Sequence, residues 1–273
     1  MVTAAADKTA RIWQAATGRQ IAVLEGHEGP VVFAAFNPSG TKVVTASEDK
    51  TARILDARSG KELLVLRGHE DRVYSAVFSP NRTRVLTASW DKNAFIWDAE
   101  TGQKLGALQG HESPVHAANF SPDGRQIVTA SWDTTAWIWD AATFRQIAIL
   151  RGHEAGVISA SFSPDGSRIV TASEDKTVRI WETATAREIT VLRGHEDEVW
   201  FASFSPDGLR VVSASVDRSA RVWDTRFSMM PLTELLDAAC TRMLGGLTKL
   251  SREEMRLAGY PETASAIDVC EGQ

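Results

Sequence analysis

Between residues 69 and 108 the chain alternates apolar and polar positions in short runs, the pattern of strands rather than helices. Val73-Tyr74-Ser75-Ala76-Val77-Phe78 predicts a first strand, and Ser79-Pro80 opens a turn in which proline presets φ. Arg84-Val85-Leu86-Thr87-Ala88-Ser89 predicts a second strand, closed by a tight turn at Trp90-Asp91-Lys92. Residues 93–97 form a third strand, and Thr101-Gly102 turns the chain into a fourth over 103–108. At the first turn, three other segments read Ser-Pro-Asp-Gly (121–124, 163–166 and 205–208), which ends on the glycine that such turns favour. β-Branched and small residues dominate, so these strands suit a sheet packed on both faces.

The same unit returns every 42 residues. Gly-His pairs stand at Gly26-His27, Gly68-His69, Gly110-His111, Gly152-His153 and Gly194-His195. A second landmark closes each unit: Trp13-Gln14, Leu55-Asp56, Trp97-Asp98, Trp139-Asp140, Trp181-Glu182 and Trp223-Asp224. No unit is longer or shorter than its neighbour. A small sheet cannot bury both faces alone, and stacking on its neighbours does so. The landmarks and their spacing resemble the WD-repeat β-propeller family over about residues 1–226. That resemblance implies an all-β fold, a β-propeller of about six four-stranded blades with the first and last incomplete. The incomplete first blade covers 1–24, full blades run from 25, and the last covers 195–226. Residues 227–273 follow other rules and predict a short helical C-terminal tail. Leu232, Leu235, Leu236, Ala239 and Met243 share a helical face, and Ser251-Arg252-Glu253-Glu254 is a capping-box pattern.

Composition narrows the function. A net charge of −5 over 273 residues gives no basic footprint for nucleic acid. No apolar stretch reaches the roughly 20 residues that span a bilayer, and the first residues have no apolar signal core. Cys240 and Cys270 both lie in the tail and make no disulfide framework. These features predict a cytoplasmic protein that uses neither nucleic acid nor membrane as a partner.

Each full unit carries a His, a Ser 20 residues on, an Asp at 22 and a Trp at 28. The sets are His69, Ser89, Asp91, Trp97; His111, Ser131, Asp133, Trp139; His153, Ser173, Asp175, Trp181; and His195, Ser215, Asp217, Trp223. Taken singly, Ser, His and Asp invite a nucleophilic triad. Repetition argues against it, since acyl transfer needs one preorganised site and not one per blade. The resemblance implies instead a buried hydrogen-bond network from Trp through Ser and His to Asp. No catalytic residue, metal site or cofactor is expected: each His stands without a second His or Cys nearby in sequence. Two units depart from the pattern. The set with His27, Ser47 and Asp49 has Leu55 in place of Trp, and the opening fragment has Asp7 and Trp13 but Ala5 and no His.

Because the units are so alike, the columns in which they differ stand out. The residue before the turn Asp reads Ala6, Glu48, Trp90, Trp132, Glu174, Val216; the residue after the first valine of strand one reads Val32, Tyr74, His116, Ile158, Trp200. The resemblance implies that both columns rim the face on which partners dock. They predict a partner-binding set of Tyr74, Trp90, His116, Trp132 and Trp200 flanked by Glu48 and Glu174, residue types that anchor interfaces. A third column, Arg11, Arg53, Phe95, Trp137, Arg179, Arg221, adds aromatic character in the two units that carry Trp90 and Trp132. Each Gly-His is followed by a glutamate (Glu28, Glu70, Glu112, Glu154, Glu196), and a ring of carboxylates favours a basic partner segment.

The expected function is therefore a non-catalytic propeller that binds a protein or peptide through that face. The alternative is a ligand-sensing regulatory domain of a multidomain signalling protein. The tail, with Cys240 and its Leu-Ser-Arg-Glu-Glu run, resembles the ends of bacterial multidomain WD-repeat proteins, in which the propeller follows a kinase, protease-like or nucleotide-switch domain. The unpaired edges of the first and last blades predict self-association, and the sequence reads as the C-terminal part of a longer propeller protein or as a shortened gene product. A five-bladed ring with residues 1–13 loose is the competing picture.

Overall fold

In the computed structural model, residues 1–226 are described, and they form six antiparallel sheets with no helix. Sheet 1 holds β1 (Val2–Ala4), β2 (Ala10–Trp13) and β3 (Gln20–Leu24). Sheet 2 holds β4 (Val31–Phe36), β5 (Lys42–Ser47), β6 (Ala52–Asp56) and β7 (Glu62–Leu66). Sheet 3 holds β8 (Val73–Phe78), β9 (Arg84–Ser89), β10 (Ala94–Asp98) and β11 (Lys104–Leu108). Sheet 4 holds β12 (Val115–Phe120), β13 (Gln126–Ser131), β14 (Ala136–Asp140) and β15 (Gln146–Leu150). Sheet 5 holds β16 (Val157–Phe162), β17 (Arg168–Ser173), β18 (Val178–Glu182) and β19 (Glu188–Leu192). Sheet 6 holds β20 (Val199–Phe204), β21 (Arg210–Ser215) and β22 (Ala220–Asp224). Within each sheet the strands follow one another in chain order, as tight turns between antiparallel neighbours require. The expected helical tail, with both cysteines, lies outside the described residues. Among the described residues no helix is long and apolar enough to cross a membrane.

The period-2 alternation assigns each sheet two apolar faces, and one kind of junction repeats five times. Ile54, Val44, Ala46 and Leu66 of sheet 2 pack on Val85, Phe95 and Trp97 of sheet 3. The same columns meet between sheets 3 and 4 (Ile96 on Trp139), 4 and 5 (Ile138 on Trp181), 5 and 6 (Ile180 on Trp223) and 1 and 2 (Ile12 on Leu55). Full burial of one such isoleucine or tryptophan is worth roughly 1.5–3 kcal/mol, so these junctions hold the sheets in sequence. No such cluster joins sheet 6 to sheet 1 among the described residues. The arrangement is that of propeller blades, each resting on the next.

In sheets 2 to 6 the first strand carries a one-residue irregularity at the same place. In sheet 3, Val73 pairs with Ser89 and Ser75 with Ala88, so Tyr74 is left out of the ladder. Val32, His116, Ile158 and Trp200 are left out in the same way. A β-bulge bends its strand and re-aims the extra side chain.

Candidate functional site

The repeated His and Asp are joined in every unit from sheet 2 to sheet 6. His69 Nδ1 lies 2.7 Å from Asp91 Oδ2, and the equivalents at His27, His111, His153 and His195 lie at 2.6–2.7 Å. The hydroxyl between Trp and His, however, is not the serine of the sequence reading. Trp97 donates its indole N–H to Thr87 Oγ1 at 2.8 Å, and Thr87 Oγ1 is 2.7 Å from His69 Nε2. Thr129, Thr171 and Ser213 hold the same place in sheets 4, 5 and 6. With the aspartate ionised, His Nδ1 must donate and Nε2 must accept from the hydroxyl, so the indole, the hydroxyl and both imidazole nitrogens of this network are all satisfied. Ser89 instead pins the turn, donating to the carbonyl of Asp71 and accepting the backbone N–H of Asp91. Ser131, Ser173 and Ser215 repeat this. In the two departing units, His27 reaches Thr45 with no tryptophan above it, and Trp13 donates to Thr3 with no histidine below.

Burial alone would raise the Asp133 carboxyl, yet hydrogen bonds from His111, Thr135 and the Glu112 backbone N–H hold it at about 2. Asp91, Asp175 and Asp217 are lowered in the same way against the cost of burial. These groups scaffold the turn between strands two and three.

The third column lies inside the blade and not on the rim. Phe95 is buried and stacks flat on His69 at 4.1 Å, and Trp137 packs on His111 at 4.5 Å. Where the column is arginine, Arg53 pairs with Glu62 and Arg179 with Glu188; where it is Phe95, Lys104 takes the glutamate's place, 3.2 Å over the ring. This column also explains the glycine of Gly-His. Gly110 has φ 143°, and a Cβ there would come within 2.7 Å of the Trp137 ring.

The two variable columns do converge. The bulges turn Tyr74, His116 and Trp200 toward a cavity of about 850 Å³, into which the turns bring Trp90, Trp132 and Glu174. Tyr74 stacks on Trp90 at 4.9 Å, Trp90 meets Trp132 at 5.0 Å, and His116 lies 4.7 Å from Tyr74 and 6.1 Å from Trp132. Four rings from sheets 3 and 4 thus make one continuous aromatic wall. The indole N–H groups of Trp90 and Trp132 are buried there without an acceptor among the described residues. Trp200, 56% exposed, stands on the far side and donates to Glu198 at 2.9 Å. Glu48 is not on the cavity wall. It pairs with Arg72 at 3.3 Å, and Arg72 in turn lies 5.2 Å over the Trp90 ring. The five glutamates after Gly-His are all exposed, each giving its backbone N–H to the network aspartate.

Charge divides the cavity. Burial, and then the neighbouring Glu198 carboxylate, raise the Glu174 carboxyl, so the acidic groups of the cavity stand on this side. Burial lowers His116 to about 4, against the opposing hydrogen bond with the Ile158 backbone, so the imidazole is neutral at pH 7. A histidine with a lowered folded pKa binds fewer protons folded than unfolded. Its contribution is therefore complete above about pH 6.5 and lost as pH falls toward about 4. His27 is lowered in the same direction, also by burial, while the raised Glu174 acts in the opposite sense. Thermal melting is expected to be level above pH 7 and to fall between pH 6.5 and 4. His116→Gln should flatten that fall, and an unchanged pH profile would contradict the assignment. Below about pH 4 the network aspartates add a second fall, since their contribution is present above 3.8 and lost as they protonate.

Phe33 and Phe201 also line the cavity and escaped the sequence reading. Their column, Phe33, Ser75, Ala117, Ser159, Phe201, is bulky at both ends and small between, where the aromatic wall needs room. That size alternation was the available signal.

The profile of the family described as WD domain, G-beta repeat matches residues 18–56, 60–98, 102–140, 144–182 and 186–224, well over half of the chain. Each matched stretch takes the last strand of one sheet and the first three of the next. No curated protein matches the chain.

Proposed function

The chain belongs to the WD-repeat family, and from that premise we propose that it is a non-catalytic scaffold binding a protein or peptide segment in the aromatic cavity. WD-repeat propellers are generally non-catalytic, and their repeats commonly act as protein-interaction scaffolds. What supports this site is one observation. Tyr74, Trp90, His116, Trp132 and Trp200, ring side chains drawn from three sheets and two sequence columns, share one cavity. Fold stability asks for no such gathering: the equivalent places in sheet 2 hold Val32 and Glu48, and in sheet 5 Ile158 and Glu174.

Large amphipathic rings beside a carboxylate give an anchor for an apolar side chain and attract a basic one. The partner is accordingly a segment with an apolar anchor next to Lys or Arg, its cation toward Glu174 and Glu198. Replacing Trp90, Trp132 and Trp200 together with alanine should abolish partner capture in a pull-down while circular dichroism stays that of the folded chain. Capture unchanged by the triple substitution would place the binding face elsewhere. A second reading, a domain that senses a small molecule and regulates an attached effector, is favoured by the cavity volume, which lies within the range of roughly 300–1,000 Å³ typical of ligand sites. Saturable binding of a small apolar cation, with no peptide captured, would decide for it.

A further inference from the structure

The five internal junctions all press one face, the isoleucine face, on another, the tryptophan face. One face of each kind is left uncovered among the described residues. On sheet 6, Val222 is 69% exposed and Val212 40%, whereas their counterparts Ile54, Ile96, Ile138, Ile180 and Val44, Leu86, Val128, Val170 are all at 0%. Ala214 and Ala220 beside them are exposed as well. On sheet 1, Met1 is 63% exposed where Val43, Val85, Ile127, Ile169 and Val211 are at 0%. Thr3 is exposed and Trp13 half-buried, although the same columns are buried in sheets 3, 4 and 5.

These two surfaces are the separated halves of a junction that the chain already builds five times. Side chain for side chain, the half on sheet 6 offers what sits opposite the half on sheet 1. We propose that a second copy of this chain docks its sheet 1 on the sheet 6 face of the first, in register with the internal junctions. The contact is heterologous, with different surfaces on the two partners, so it continues from copy to copy unless the rotation closes a ring. It uses sheet faces and not the strand edges that the sequence suggested, and it lacks the first-strand residues that reinforce the internal junctions, such as Val73, Ala76 and Phe78. It is therefore weaker than they are and reversible. The aromatic cavity takes no part in it.

Sedimentation of the full chain over a wide concentration range tests this. The wild-type mass should rise beyond one chain with concentration. Val222→Ile, which restores the residue of the other junctions, should tighten the association several-fold. Val222→Arg and Thr3→Arg each charge an already exposed position, so both should keep the wild-type melting curve in dilute solution and sediment as single chains. Mixed in equal amounts, the two arginine variants leave one intact pair of faces, and the mass should rise again but stop at two chains. A wild-type chain that stays single at every concentration overturns the proposal, because its faces are then covered from elsewhere. So does association that survives either arginine, because that contact is not this one.

Discussion

Thr171→Val lowers the unfolding free energy by roughly 3 kcal/mol, out of proportion to the loss of one oxygen atom. Valine matches threonine in shape, so packing is preserved and only hydrogen bonds are lost. The lost hydroxyl is the middle of the chain from Trp181 to His153, accepting at 2.9 Å and donating at 2.7 Å. Without it an indole N–H and an imidazole nitrogen are both buried and unpaired, each at a cost of about 1–3 kcal/mol. Thr171→Ser should be nearly neutral, because Ser213 fills the same role in sheet 6. Ser173→Ala should cost less, about 1–2 kcal/mol, for its hydrogen bond to the Ala155 carbonyl and the one it accepts from the Asp175 backbone N–H at the turn. Equilibrium denaturation of the three variants ranks the two hydroxyls. If Ser173→Ala is the more damaging, the network runs through serine after all.

The tryptophan column gives the second large effect, with a control inside the same molecule. Trp139 is 2% exposed in the junction of sheets 3 and 4 and hydrogen-bonded to Thr129. Trp139→Ala should cost about 3–5 kcal/mol, the transfer of the ring plus the cavity left behind. Trp13 has the same place in its unit, but the face it belongs to is uncovered among the described residues and its hydrogen bond to Thr3 is exposed. Trp13→Ala in dilute solution should therefore cost about 1 kcal/mol or less. Equal losses at the two positions, measured by chemical unfolding, would mean that Trp13 is covered as Trp139 is.

The strands and their order were legible because a strict 42-residue period leaves only one way to bury alternating side chains, against the neighbouring unit. The misplaced serine and the inward position of the third column have the same physical source. Thr87 and Ser89 are two residues apart on one strand, so they lie on the same face and pattern alone cannot rank them. Cross-strand register decides: Trp97 stands opposite Val85, and its indole reaches the diagonal neighbour Thr87. Phe95 likewise lies two residues from Trp97, and so on the same inward face, which is why it stacks on His69 instead of meeting a partner. The variable columns pointed to the rings that converge, but only the backbone told why they meet. A bulge has no sequence signature here, since valine, tyrosine, histidine, isoleucine and tryptophan all occupy it.

That indifference matters. A residue left out of the ladder has no cross-strand partner to satisfy, so its identity is not dictated by the sheet that carries it. Selection can therefore act on the scaffold residues and on the cavity-lining residues separately: one column can be rewritten from Val32 to Trp200 while the frame around it stays the same. A range of differently lined cavities is open to this architecture by substitution at a handful of bulges and turn tips, with no redesign of the blades beneath.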